Sequence, residues 1–396
     1  MGDKKPVILS ACRTAGGKFG GGFKSLEASD LGAIAIREAV SRSQVAPEDL
    51  GEVIMGNAWQ AGVGTNPARI AEYKAGLPDN IPAFSINKRC GSGLKAAMLV
   101  ADRVRLGDIS AGVAGGMESA SNVPYILPEA RWGYRMGEKS ALDLLHKDGF
   151  FCPFCEMLMG ATGEVLAEEG AISRQVQDEY ALESHRKAVW AIENGWFKDE
   201  IVDVIVKDRK RGELVINQDE IPRSDTSLEK LAKLPTVFKK DGTISAGSSS
   251  ALCDAASASV VADGDWAKAN GHKPMAEIVS YAVGALDALH MGLGPTVAMP
   301  LALKKAGMNL EDMDIIEINE AFAAQILACH KKMPFDLAKL NPCGGAIALG
   351  HPSGATGMKI LTTLLYSLKR MDRELGIVSA CIGGGQGVAM VVRRLT

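Results

Sequence analysis

The chain has 396 residues, 47% of them apolar and 23% charged, an ordinary balance for a globular protein with room for two or three domains. Its 44 basic and 47 acidic residues leave a net charge of −3, which excludes the basic excess of a dedicated nucleic-acid binder. No apolar run reaches the length of a membrane span, and eight scattered cysteines without a secretory leader are expected to be reduced thiols in a cytoplasmic enzyme.

In chain order, "MGDKKPVILSACRT" lacks the apolar core of a secretory signal, and Pro6 stands where a myristoylation motif needs Ser or Thr. The helix-like "LGAIAIREAVSRSQV" (31–45) precedes a short strand in "EDLGEVIMGN" (48–57). The stretch "NKRCGSGLKA" (87–96) then sets Cys90 between cations and a Gly-Ser-Gly run. Apolar residues follow at Leu94, Ala97, Met98 and Ala101, one buried helical face, and Gly107 supplies the stop. Cys90 therefore falls at a helix N-terminus, where backbone N–H groups and the positive dipole end favour thiolate over thiol. Lys88 and Arg89 add positive charge, although strand alternation points them to opposite faces. A small buried cysteine is the commoner fate of such a residue, so this motif alone leaves both readings open.

Residues 122–247 read differently. They hold "NVPYILPEARWGYRM", the pair Cys152 and Cys155 in "CPFC", the helical "RQVQDEYALESHRKAVWAIENG" and the basic loop "KDRKRGE" (207–213). This is expected to be an inserted region covering one face of the core. "CPFC" has neither a second CxxC nor a His pair near it, so no metal is expected there.

The last third repeats the first. "TVAMPLALKKAGM" (296–308) and "EDMDIIEINE" (311–320) restate the helix and strand of residues 31–57. Asp49 lies 41 positions before Cys90, and Asp312 lies 39 before His351. Both reactive residues are followed by a Gly-containing turn and a helix, then by the small-residue strands "SAGVAGGM" (110–117) and "GIVSACIGGG" (376–385). The repeat predicts two copies of one α/β unit, mainly parallel in its sheets, each offering one side chain to a shared centre. His351 in "GGAIALGHPSGATG" can accept a thiol proton near neutral pH. Cys381 in "CIGGGQG" sits beside glycines whose N–H groups can hold an oxyanion, and Asn319 in "INEAFA" can orient a water or a carbonyl. Taken singly, these residues are as well explained by a satisfied turn histidine, a small core residue and a polar cap.

Together and in this order, "NKRCGSGLKA", "NEAFAAQ", "GGAIALGHPSGATG" and "CIGGGQGVAM" resemble the thiolase family, the acetyl-CoA C-acyltransferases, over essentially the whole chain. The resemblance implies an α/β fold with a five-layered αβαβα core of two similar halves plus a loop domain. The N-terminal half would span 1–121, completed by 248–272, the loop domain 122–247 and the C-terminal half 273–396. It also implies a homodimer or homotetramer that uses coenzyme A thioesters as substrates, with no metal, no permanently bound cofactor, and no nucleic-acid or membrane partner. By position, Cys90 would be the nucleophile and His351 its activating base, which also binds the thioester oxygen. Asn319 would hold a water of the first oxyanion site, the N–H groups of Cys90 and Gly383 would form the second, and Cys381 would act as acid and base. Arg223, Phe238 and Ser250 match family CoA contacts; Met159, Met291, Ala321 and Phe322 match the pantetheine or acyl pocket.

Four places depart from the biosynthetic members of that family. Leu158 replaces a His, Ser248 and Cys253 stand where Asn is common, and Pro342-Cys343 replaces Val-Asn; all are expected in or near the substrate tunnel. The expected activity is acetyl-CoA C-acetyltransferase, that is, reversible Claisen condensation and thiolysis of 3-ketoacyl-CoA. The alternatives are a degradative thiolase for longer or unusual acyl chains and a catalytically silent acyl-CoA-binding protein of the same fold. A ketoacyl-synthase-type condensing enzyme is disfavoured by the second cysteine, and nothing suggests the open cleft of a cysteine hydrolase.

Overall fold

The structure is a computed structural model that describes residues 4–208 and 212–396; three residues of the basic stretch 207–213 lie outside the described residues. Nine strands carry the large sheet: β1 (Pro6–Thr14), β2 (Leu50–Gly56), β3 (Ala83–Ile86), β4 (Ala111–Ser119), β5 (Cys253–Asp263), β6 (Ala276–Ala285), β7 (Ile315–Ile318), β8 (Leu375–Ile382) and β9 (Gln386–Arg394). Their order is β7-β8-β9-β6-β1-β5-β4-β2-β3, with short strands Gly17–Lys18 and Ile201–Val202 pairing off that path. Only two register pairs join β1 to β6, so the sheet folds into two halves hinged along that seam.

The expectation of mainly parallel sheets is corrected. The pairs β2–β3, β2–β4 and β7–β8 are parallel, but β4–β5, β5–β1, β1–β6, β6–β9 and β9–β8 are antiparallel. Parallel neighbours arise where a helix crosses between strands. The long strands β1, β5, β6 and β9 are not joined by such crossovers, and the turn 383–385 closes a simple hairpin between β8 and β9.

The principal helices are α1 (Ala28–Ser43), α2 (Pro67–Ala75), α3 (Ser92–Leu106), α4 (Met159–Glu169), α5 (Arg174–Glu193), α6 (Gly294–Ala306), α7 (Ala323–Lys332) and α8 (Ser353–Arg370). Helix α3 ends where the sequence predicts, at Gly107, whose φ of 79° is the left-handed conformation that closes a helix. Three apolar clusters define the layers. One packs α1 and α2 on the first half-sheet, a second fills the space between the half-sheets around α3 and α8, and the third packs α6 and α7 on the other half-sheet. The sequence repeat is thus realised: α3 follows Cys90, α8 follows His351, and the two helices lie side by side in the central layer.

Glycine sets how closely those helices approach. A Cβ on Gly357 of α8 would sit 2.5 Å from the backbone nitrogen of Leu94, and one on Gly93 of α3 would sit 2.8 Å from that of Met358. Backbone therefore meets backbone, and the two helix starts converge.

Candidate active site

Cys90 lies in a single 3₁₀ turn, Arg89–Gly91, between β3 and α3. The turn places its sulfur 3.1 Å from His351 Nε2, across 261 residues of chain. The other imidazole nitrogen, Nδ1, lies 2.6 Å from Thr356 Oγ1, one turn into α8. A proton on Nδ1 donated to Thr356 leaves Nε2 free to take the thiol proton. Behind this turn, Lys359 Nζ donates to the Leu349 and Gly350 carbonyls, and Gly354 N–H donates to the Glu118 carboxylate at 2.6 Å. Burial pushes the Cys90 thiol up, but the His351 charge and hydrogen bond, then Arg89 and Ser353, outweigh it and bring the thiol down from 9.0 to about 6. Lys88 takes no part in this: its Nζ donates to Gln386 Oε1.

Cys381, the second thiol, ends β8 and is buried. Burial, then the Cys90 and Cys329 sulfurs, push it well above the ordinary thiol value. Two thiols lining one cavity are therefore driven in opposite directions, one towards thiolate and the other held as a thiol. Such a split separates nucleophile from acid.

Both sulfurs open into a cavity of about 620 Å³, counted to its mouth, whose wall also includes His351, Gly383, Met159, Met291, Ser250, Ala321 and Phe322. Residues expected in the catalytic and pocket sets thus come together. Three do not line it. Asn319, at the end of β7, is buried with its N–H on Ser379 O, and neither side-chain amide atom has a protein partner among the described residues. Phe238 stacks edge-to-face on Phe322 at 5.7 Å and backs the wall. Arg223 lies in an adjoining cavity of about 520 Å³ with His185 and Ser249, which shares the wall residue Ala251 with the first. Burial there, then Arg223, lowers His185 to about 4, leaving a neutral imidazole that accepts the Arg223 backbone N–H.

The departures Leu158, Ser248, Cys253, Pro342 and Cys343 do not line the cavity itself, though Leu158 and Cys253 adjoin its wall residues Met159 and Leu252, and Ser248 adjoins Ser249 of the neighbouring cavity. Leu158 stands in a short hairpin beside the wall residue Met159; Ser248 closes a buried turn on Ser245. Cys253 packs under Gly350, behind His351, and Cys343 contacts Ser367 in the first apolar cluster. Pro342 joins the Asn341 turn to it. Cys152 and Cys155 belong to that hairpin, and among the described residues no group of His, Cys, Asp and Glu is spaced for a metal.

Sequence reasoning missed one wall. Trp59, just after β2, meets Phe150 edge-to-face at 5.9 Å, with Gly149 against the indole. The Arg89 guanidinium donates to the Asp148 and Gly149 carbonyls and ties this wall to the nucleophile turn. Glu118 links the same parts: it accepts from Asn57 Nδ2 at 2.6 Å, Ala58 N–H at 3.0 Å and Trp59 N–H at 3.2 Å, besides Gly354. The signal in the sequence is faint, a lone Glu after "AGGM" and a lone Trp after "MGNA".

Known proteins are similar to this chain in sequence and fold. The family model for the thiolase N-terminal domain matches residues 6–265, and that for the C-terminal domain matches 272–394. An acetyl-CoA acetyltransferase of Escherichia coli K12 is 48% identical, over 99% of this chain and 100% of its own length. The beta-ketothiolase BktB of Cupriavidus necator is 44% identical, over 99% and 100%. The crystal structure of the Bacillus anthracis acetyl-CoA acetyltransferase superposes with a TM-score of 0.97 at 42% identity, covering 99% of both chains. With two thiols and a histidine lining one cavity, a duplicated core and this likeness over its full length, the chain belongs to the thiolase family.

Proposed function

We propose that this thiolase is an acetyl-CoA C-acetyltransferase in which Cys90 carries the acyl group and Cys381 moves the proton. The observation that carries this reading is the 3.1 Å contact of His351 with Cys90 in a cavity that also holds a protonated Cys381. In thiolysis the Cys90 thiolate attacks the C3 ketone of a 3-ketoacyl-CoA. The C2–C3 bond breaks, and the departing acetyl-CoA enolate takes its proton from Cys381. The CoA thiol returns a proton to Cys381 and displaces the acyl group, so that Cys90 leaves as thiolate. Condensation runs the same steps backwards, which divides one difficult carbon–carbon step into two easier ones. The enolate oxygen falls to His351 and to a water held by Asn319, whose free amide atoms support that role. The N–H groups of Cys90 and Gly383 serve the tetrahedral intermediate.

CoA enters past Arg223, Phe238 and Ser250, and its pantetheine arm runs by Met159, Met291, Ala321 and Phe322. That the two cavities adjoin, with Ala251 in the wall of both, supports this route. Trp59 and Phe150, in edge-to-face contact on the wall of the same cavity, narrow it with bulky rings, which favours a short acyl group. The catalytic unit divides at 1–121 with 248–272, 122–247 and 273–396; β5 lying between β1 and β4, and the family match changing between 265 and 272, support that division. A homodimer or homotetramer fits the exposed Trp132 and Met136 of the inserted region, and a reducing cytoplasm fits eight free thiols. No described helix is long and apolar enough to cross a membrane.

The test is CoA-dependent cleavage of a 3-ketoacyl-CoA series from acetoacetyl-CoA to long, branched and aromatic members. An optimum at acetoacetyl-CoA is expected. Activity that rises with chain length means a degradative thiolase, and no cleavage of any member means a silent binding protein.

A further inference from the structure

Ser353 opens α8, is only 6% exposed and lines the main cavity. Its hydroxyl lies 3.7 Å from the Cys90 sulfur, within reach of a sulfur acceptor, and has no other partner among the described residues. His351 approaches the same sulfur from two residues earlier in the chain. One short turn therefore presents two donors to the nucleophile, once His351 has taken the proton.

The turn is held so that this geometry persists. Gly354, next in the chain, gives its N–H to Glu118, and its carbonyl oxygen packs where a Cβ on Gly56 or Gly116 would otherwise stand. Thr356 fixes the imidazole from the other side. Neither donor has to be recruited by substrate.

We propose that Ser353 is a further catalytic residue, whose hydroxyl donates to the Cys90 sulfur whenever that sulfur bears negative charge. That charge exists twice in the cycle. It exists before attack on the ketone, and it returns as CoA displaces the acyl group and the C–S bond to Cys90 breaks. No proton is transferred to or from the hydroxyl; the bond strengthens as charge grows on sulfur and weakens in the acyl-enzyme, whose thioester sulfur is a poor acceptor. The gain is thus larger for the leaving thiolate than for the acyl-enzyme from which it departs, which is what accelerates that step.

The inference rests on Cys90 being the acyl carrier, which Cys90→Ala tests separately by loss of any acyl label. The experiment for Ser353 compares wild type, Ser353→Ala and Ser353→Thr in three readings. These are the pH dependence of Cys90 alkylation by iodoacetamide, the single-turnover rate of deacylation by CoA, and the thermal unfolding midpoint. For Ser353→Ala the alkylation midpoint should rise by about half to one pH unit and deacylation should slow by about three- to tenfold, with KM for acetoacetyl-CoA within about twofold and the unfolding midpoint unmoved. Ser353→Thr, which keeps the hydroxyl, should recover most of both. A Ser353→Ala enzyme with the wild-type alkylation midpoint and deacylation rate overturns the proposal. So does an unfolding midpoint that falls in step with the rates, because the residue would then be acting through the fold.

Discussion

At the scale of single residues, the site works by dividing two chemically identical groups. Cys90 and Cys381 are both thiols, yet His351 draws one down to about 6 while burial holds the other well above 9.0. The sign of the pH dependence follows. In the proposed reaction Cys90 attacks as thiolate, so its reactivity would be present above pH about 6 and lost as the pH falls through that value. In the same proposal Cys381 is the proton donor to the enolate, and burial keeps its thiol protonated across the neutral range. Alkylation of Cys90 by iodoacetamide should therefore rise through a midpoint near pH 6, and His351→Ala should move that midpoint up towards the free-thiol value of 9.0. A wild-type midpoint near 9.0 would show that the 3.1 Å contact does not activate the sulfur. Cys90, His351, Cys381 and Gly383 were legible as motif residues because each stands next to or two residues from a glycine at an element end. Ser353 and Thr356 stand inside the His351 motif with nothing in the sequence to mark their contacts, and Glu118 lies outside every motif and meets Gly354 only in space.

At the scale of elements, catalysis depends on how two helices begin. Helices α3 and α8 come from opposite ends of the chain, and their glycine contact brings the Cys90 turn against the His351 turn. Gly357→Ala would drive a methyl into the Leu94 backbone, where neither helix can yield easily. We expect a loss of about 1–3 kcal/mol in unfolding free energy, together with a fall in kcat larger than any change in KM, read by denaturant melts and steady-state kinetics. Unchanged stability and rate would mean that the helix starts have slack. The helices themselves, and the stop at Gly107, were readable from apolar spacing and glycine. The strand directions were not. Alternating strands and helices suggest parallel pairing, whereas β1, β5 and β6 are long strands whose antiparallel partners lie far off in sequence, and β9 turns back on β8 in a hairpin.

At the scale of the whole molecule, the duplicated core supplies the reactive groups, and the region proposed as an insertion, 122–247, brings Gly149, Phe150 and Met159 to their cavity. Arg13 of β1, fully buried, joins the two. Its guanidinium bonds Asp219 in bidentate fashion at 2.7 and 2.9 Å and Glu200 at 2.6 Å, both in the inserted region. Buried charge is costly unless it is paired, so this network fixes one seating of the region against β1. Arg89 and Glu118 continue that seating to the cavity, one holding Gly149, the other Trp59. In the sequence, the internal repeat points to two halves and the compositional break to an insertion. How the insertion closes the cavity depends on contacts between residues such as Trp59 and Phe150, which only the fold brings together. The central claim is that Cys90 carries the acyl group while Cys381 handles the proton. It is tested most directly by incubating the enzyme with acetyl-CoA and locating the acetyl group by peptide mass spectrometry. Acetyl on Cys90 in both wild type and Cys381→Ala, with turnover reduced roughly 10³-fold or more in that variant, is the predicted result. Acetyl on Cys381, or none on Cys90, would contradict it.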